Sequence, residues 1–353
     1  MPPSGTFNAS HRFMARTRTT ANMDSPRKVI WAVDPFEEFS PLQRMAADAL
    51  IRMQRRIRGL VIEPLYVLSP AQLNLSMEFS TPWVAQYRPA AEKAMEGLCR
   101  RLGFTFNSET LRPKVIIQNF SSTSQAVATL ADYAVKTGAE LIVAGSHGRT
   151  GVKRLLLGSF AETLLLSSRI PVMIVGPVMR RSYDLGKIVF ATDFGGSSDQ
   201  AFRNVVHFAA ELRASLRLFH AIPSPIEPVF QSGVYLLGGA WMPVHAYFAH
   251  ETERHRKHAE QWAKWACAQG VQTESHIETT PGSIADKVIA YARAENAGMI
   301  AMDAHSGPIA SSLLGSITRQ VVRHADCPVW VIRSQEKARA RGRSDRRARR
   351  EAA

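Results

Sequence analysis

Leu141-Ile-Val-Ala-Gly-Ser-His-Gly-Arg-Thr-Gly-Val-Lys-Arg-Leu-Leu-Leu-Gly-Ser159 decides how this chain is read. It opens with an apolar run of strand length and passes through a basic, glycine-rich loop. It ends in Gly158-Ser159, at the head of a helical segment. Arg169-Ile-Pro-Val-Met-Ile-Val175 follows, with Pro171 at the start of a strand, where a missing N–H is tolerated. The same order returns further on, as Gly298-Met-Ile-Ala-Met-Asp303, Leu313-Leu-Gly-Ser316 and Asp326-Cys-Pro-Val-Trp-Val-Ile332. Gly158 and Gly315, Ser159 and Ser316, and Pro171 and Pro328 share one offset of 157 residues. Lys28-Val-Ile-Trp-Ala-Val-Asp34 matches Lys187-Ile-Val-Phe-Ala-Thr-Asp193 at an offset of 159. A repeat this long is a duplicated domain, and the join falls at Met179–Gly186.

Within each copy, short β-branched runs alternate with segments long enough for helices. Strands are expected at Val29–Val33, Leu60–Leu68, Lys114–Gln118, Leu141–Ala144 and Val172–Val175. The second copy repeats them at Ile188–Thr192, Leu216–His220, Gln272–Ile277, Met299–Asp303 and Val329–Ile332. Pro41–Arg58, Arg88–Leu102 and Ser124–Thr137 carry helical spacing of apolar residues. Strands that are apolar throughout, alternating with helices, belong to parallel sheets covered on both faces. The expected fold is α/β: two tandem doubly wound (Rossmann-like) domains, each on a five-stranded parallel sheet. They occupy residues 28–178 and 186–334, between a disordered extension at 1–27 and a basic, disordered tail at 335–353.

The charge distribution narrows the function. The chain of 353 residues has a formal charge of +14. Residues 337–353 hold eight Lys/Arg against two acids, and residues 1–27 hold four Arg against one Asp, so the body is only mildly basic. A dedicated nucleic-acid face would carry more. The tail could touch nucleic acid through counterion release, but it lacks an aromatic residue to stack a base and reads as solvated. The longest apolar runs fall well short of a membrane span. Three cysteines without CxxC spacing argue against a disulfide scaffold or a zinc site and fit a reducing, cytoplasmic setting.

Chemistry concentrates in the opening stretch. Open sheets of this kind bind ligands beyond the carboxyl ends of their strands. Gly145 and Gly148 remove side chains that would keep an anion from backbone amides. Arg149, Lys153 and Arg154 add positive charge, and the helix starting at Gly158-Ser159 offers free N–H groups and a favourable dipole. Ser159-Phe-Ala-Glu162 also has capping-box spacing, with Glu162 returning to the Ser159 amide. Asp34, followed by Pro35, could equally be a simple turn residue.

Gly145, Gly148, Gly158 and Ser159 fit the pattern Gly-x2-Gly-x9-Gly-(Ser/Thr), and here the chain resembles the universal stress proteins in their tandem form. The resemblance spans about 28–333. It implies ATP as ligand, with Val33 and Asp34 at the end of the first strand, Asp34 meeting the adenine, and Val67 offering its backbone to the base. His147, Gly148 and Arg149 would lie beside the ribose and phosphates, with Gly145, Gly158, Ser159 and Phe160 completing the binding set. It also implies that the last strands of the two halves, Ile170–Val175 and Pro328–Ile332, meet. Walker and GxGxxG patterns are absent.

The implied function is stress response or signalling through nucleotide-dependent shape or partner binding, with at most slow ATP hydrolysis. Two alternatives stay open: a nucleotide-cleaving enzyme of the adenylyl-transfer or pyrophosphatase type, and a nucleotide-independent interaction scaffold. Protein partners are unspecified, and a homodimer is possible. No residue is assigned as catalytic, because no acid is placed by sequence to orient His147 as a base. No protein metal site is expected. Glu37 and Glu38 could hold Mg2+ on the phosphates but read as surface charge, and His255 and His258, at helix spacing with Glu251, read as a solvated face.

The second copy departs from the motif. Aligned on Gly315-Ser316, the first two glycines become Met302 and His305. Sliding by one residue pairs His147 with His305 and leaves that loop one residue short. Either way its cations are gone, Asp303 adds a negative charge, and Arg319 stands where the first copy has Glu162. This half is expected to bind nucleotide weakly or not at all.

Overall fold

The computed structural model describes residues 27–37, 40–70, 84–105, 109–120, 122–146, 157–180, 183–195, 198–222, 244–303 and 314–332. The extension apart from Arg27 and the whole of the tail lie outside them, as do His147, Gly148, Arg149, Lys153, Arg154, Glu38 and His305.

The first half runs β1 (Lys28–Ala32), α1 (Pro41–Arg56), β2 (Val61–Leu68), α2 (Arg88–Arg101), β3 (Lys114–Ile117), α3 (Thr123–Lys136), β4 (Leu141–Gly145), α4 (Ser159–Ser167) and β5 (Val172–Val175). The second repeats it as β6 (Lys187–Ala191), α5 (Ser198–Leu212), β7 (Ser215–Ala221), α6 (Val244–Ala268), β8 (Thr273–Glu278), α7 (Ile284–Ala294), β9 (Met299–Asp303), α8 (Ser316–His324) and β10 (Val329–Ile332). Each five-strand set is parallel.

The sets join into one ten-stranded sheet of order β3-β2-β1-β4-β5-β10-β9-β6-β7-β8. At the seam β5 and β10 run antiparallel, with Val172 opposite Val331, Met173 opposite Trp330 and Ile174 opposite Val329. Under the 157-residue offset Met173 and Trp330 are the same position in the two copies. A pseudo-twofold axis therefore passes between them. The implied meeting of the last strands is thus realised within one chain.

Helices cover the sheet according to which side their apolar stripe faces. Alternate residues of β1 separate cleanly: Val29, Trp31 and Val33 join one core, and Ile30 joins the other. The first core takes α1, α2, α5 and α6, and the second takes α3, α4, α7 and α8. In α1, Pro41 presets the first turn, while Ala46, Ala49, Leu50 and Met53 form the buried stripe. Arg55 and Arg56 in its last turn suit the negative end of the dipole. Trp262 of α6 is buried and stacks on Phe202 with ring centroids 4.2 Å apart.

The halves are also tied by charge. Arg180 in the join reaches Asp326 at 3.5 Å and the Ala297 carbonyl at 2.7 Å. Arg27 spans Glu140 and Glu211 at 3.2 and 2.7 Å. The connecting chain crosses over Gly298, where an added Cβ would lie 1.9 Å from the Asp184 carbonyl oxygen. That contact is with backbone and cannot swing aside. Gly298→Ala is therefore expected to cost about 1–3 kcal/mol, read from urea denaturation. Gly97→Ala, inside α2 with only the Arg101 side chain within 4 Å, should instead gain about 0.5–1 kcal/mol.

Candidate functional site

Strand order reverses between β1 and β4, because β1 continues leftward to β2 and β4 continues rightward to β5. A crevice opens at such a switch point. Register places the candidate residues around it. Ala32 lies opposite both Leu65 and Ala144, so Val33 and Asp34 emerge level with Val67 on one side and Gly145 on the other. Val33 and Val67 are buried. The Val33 amide donates to the Leu65 carbonyl at 3.2 Å, extending the ladder to the lip of the crevice.

Asp34 is held in a tight turn. Its Oδ1 accepts from the Phe36 amide at 3.0 Å. Gln43 Nε2, from the buried side of α1, donates to the Asp34 carbonyl at 2.5 Å and to Glu37 Oε2 at 3.2 Å. Gln43 was not read as functional from sequence, although a glutamine in phase with Ala46, Ala47 and Leu50 was the available signal. Phe36 is exposed and meets the Tyr66 ring edge-on at 5.8 Å, so the lip carries an aromatic face.

On the other side, Ser146 pins the base of the loop. Its amide donates to the Val175 carbonyl at 2.9 Å, and its carbonyl accepts from the Gly158 amide at 2.8 Å. Ser146 is buried. Ser146 thus ties the end of β4 to the head of α4. Gly158 is the N-cap of α4, and Ser159 is already the first helical residue. No side chain caps this helix among the described residues. The capping-box expectation for Ser159 and Glu162 therefore fails, because Ser159 sits one position too far inside. Glu162 instead pairs with Arg319 of the second half at 2.8 Å. Ser159 is exposed, and Phe160 packs partly against the core.

The corresponding place in the second half is filled differently. Ala191 lies opposite Phe219 and Met302 as Ala32 lies opposite Leu65 and Ala144. This register resolves the two alignments left open by sequence: Met302 matches Ala144, and Asp303 takes the place of Gly145. A carboxylate stands where the first half has a bare backbone. Asp193 Oδ1 accepts from the Gly195 amide at 2.7 Å and from Ser198 Oγ at 2.8 Å. Phe194, buried and at φ 55°, lies between the rings of His255, His258 and Trp262 at 5.5, 5.7 and 5.1 Å. That backbone region costs a bulky residue of order 1–3 kcal/mol.

His255 is buried rather than on a solvated face, and its ring centroid is 4.1 Å from that of His220 on β7. His220 Nδ1 donates to the Thr192 carbonyl at 2.8 Å. Among the described residues no group of three His, Cys, Asp or Glu side chains is arranged to hold a metal, and no helix is long and apolar enough to cross a membrane.

A family model described as the universal stress protein family matches residues 26–176 and again 185–333. A universal stress protein of Methanocaldococcus jannaschii is 44% identical over 46 residues, which span 13% of this chain and 27% of that protein. A solved universal stress protein from Archaeoglobus fulgidus superposes with a TM-score of 0.57 at 17% identity, covering 89% of this chain and 98% of its own. A functionally unknown protein from Pseudomonas aeruginosa superposes with a TM-score of 0.55 at 16% identity, covering 88% and 94%. At these identities the solved structures establish the fold.

The histidine pair gives a pH dependence. Burial, with His220 and Arg254 nearby and only Glu251 opposing, pushes His255 down to about 4. Burial also lowers His220, against the Thr192 carbonyl, Asp193 and Glu251. Below the ordinary histidine value of about 6.5 the unfolded chain takes up protons that the folded pair refuses. Stability from this pair is therefore complete above that value and lost as pH falls toward 4. Urea midpoints measured between pH 7.5 and 4.5 should fall less steeply in His255→Gln than in the unaltered protein, and equal slopes would contradict the assignment.

Proposed function

Because the chain belongs to the universal stress protein family, as two copies in tandem, we propose that its first half is an ATP site and that the protein acts in stress response or signalling through nucleotide-dependent shape or partner binding. One observation carries this reading. The amino terminus of α4, which no side chain caps among the described residues, follows the carboxyl end of β4, beside the β1/β4 switch point where Asp34 and Val67 lie level on the neighbouring strands. A helix terminus of this kind favours phosphate through N–H donors and dipole together.

In this reading Asp34 meets the adenine, and the Val33 and Val67 backbones line the base. Gly145, Gly148, Ser159 and Phe160 take the phosphates on backbone amides, and His147 and Arg149 flank the ribose and phosphates. Gly158, whose own amide is spent on the Ser146 carbonyl, gives the phosphates clearance by lacking a side chain. Phe36 and Tyr66 add an aromatic wall. Asp34 and Glu37 are the described acids at the mouth, and Glu37 is already engaged by Gln43. No residue is assigned to orient an attacking water, so any hydrolysis is slow. Mg2+ would ride on the phosphates as part of the ligand.

The second half supports the reading by contrast. Asp303 brings a negative charge to the position of Gly145, and Asp193, besides the turn contact it shares with Asp34, accepts from Ser198 Oγ. We propose that this half does not hold ATP. Equilibrium titration of the full chain should show ATP binding weakened at least tenfold by Gly158→Val and by Asp34→Ala, with thermal stability nearly unchanged. Asp193→Ala should leave binding intact. If Gly158→Val binds as tightly as the unaltered protein, the site is elsewhere.

A further inference from the structure

Glu162 and Arg319 occupy equivalent positions, each the fourth residue of its helix, 157 residues apart. They also touch, Arg319 Nη2 to Glu162 Oε1 at 2.8 Å. Equivalent residues can meet only near the pseudo-twofold axis, so the first turns of α4 and α8 bring these side chains together over the β5–β10 seam. Two copies of either residue there would set like charges against each other.

The pair sits close to the proposed phosphate site. The amino terminus of a helix carries about half a positive charge. Glu162, in the first turn of α4, brings a full negative charge to the same place. Alone it would outweigh the dipole and repel a polyphosphate. Arg319 cancels it and leaves the helix terminus positive. We infer that Arg319 of the second half is a positioning and specificity-determining residue for the first-half site: by neutralising Glu162 it makes the α4 terminus fit for a triphosphate. This rests on the ATP-site reading and adds to it a role for the second half, which donates a charge across the seam in place of binding nucleotide itself.

The pair is about one-third exposed on each side, so its influence is screened by salt. The Debye length shrinks from roughly 30 Å at 0.01 M to about 8 Å at 0.15 M ionic strength. The effect should also grow with the phosphate charge of the ligand, which a packing role would not do.

The test is titration of the full chain with ATP, ADP and AMP at 0.01 M and 0.15 M ionic strength, for Arg319→Gln, Arg319→Lys, Glu162→Gln and the double variant Glu162→Gln/Arg319→Gln. Arg319→Gln should weaken ATP about threefold to tenfold at low salt, ADP less and AMP least, with the differences shrinking at high salt. Arg319→Lys should bind nearly as the unaltered chain, and the double variant should recover most of the loss. Equal losses for all three nucleotides, or no recovery in the double variant, would overturn the inference and leave the site reading standing. The same holds if Arg319→Gln binds ATP normally while Gly158→Val does not. Absence of ATP binding by the unaltered chain would overturn both.

Discussion

Antiparallel pairing of β5 with β10 is the constraint from which the rest of the structure follows. Three residue pairs centred on Met173 and Trp330 turn two parallel sheets into one. Because the seam is antiparallel, the carboxyl edges of the two halves open on opposite sides of the sheet. Each candidate crevice is thus isolated from the other, while the helices beside the seam are forced into contact. The central pair is asymmetric. A tryptophan faces a methionine, and the Trp330 ring leans on Phe208 of α5 at 4.8 Å.

The two copies have drifted in ways that remain physically matched. At the amino ends of the strands, Lys28 pairs with Glu63 at 2.6 Å in the first half. By register Arg217 takes the place of Glu63 in the second. Its cation would face Lys187, and Glu295 reaches both, at 3.0 and 2.9 Å. Gly138 and Asn296 show the same tolerance at helix ends. Both adopt positive φ, and asparagine is the residue that best replaces glycine there. Against this background of compensated change, Asp303 in place of Gly145 is different, because it puts a carboxylate where the first half has no side chain.

Much of this was legible in the sequence. The duplicated strand-loop-helix pattern placed every strand within a residue or two, since apolar runs bounded by glycine and proline have few alternatives. What failed were local readings that ignored tertiary context. Ser159 and Glu162 have the spacing of a capping box, but the chain enters the helix one residue earlier, at Gly158. His255 looked solvated among Arg254, Arg256 and Lys257, yet its side of α6 packs on Phe194 and His220. The second-half loop could be aligned in two ways until the β6–β9 register chose one. Nothing in one dimension could join Glu162 to Arg319, because their contact depends on where the pseudo-twofold axis passes.

The central claim is that one half of a symmetric molecule cradles a polyphosphate on backbone amides while its twin has lost the capacity. The most direct measurement is a crystal structure of the full chain grown with excess ATP and Mg2+. The account predicts a single nucleotide per chain, its base beside Asp34 and its phosphates at the amino terminus of α4. Nucleotide between β6 and β9, or a first-half crevice left empty while ATP binds elsewhere, would contradict it.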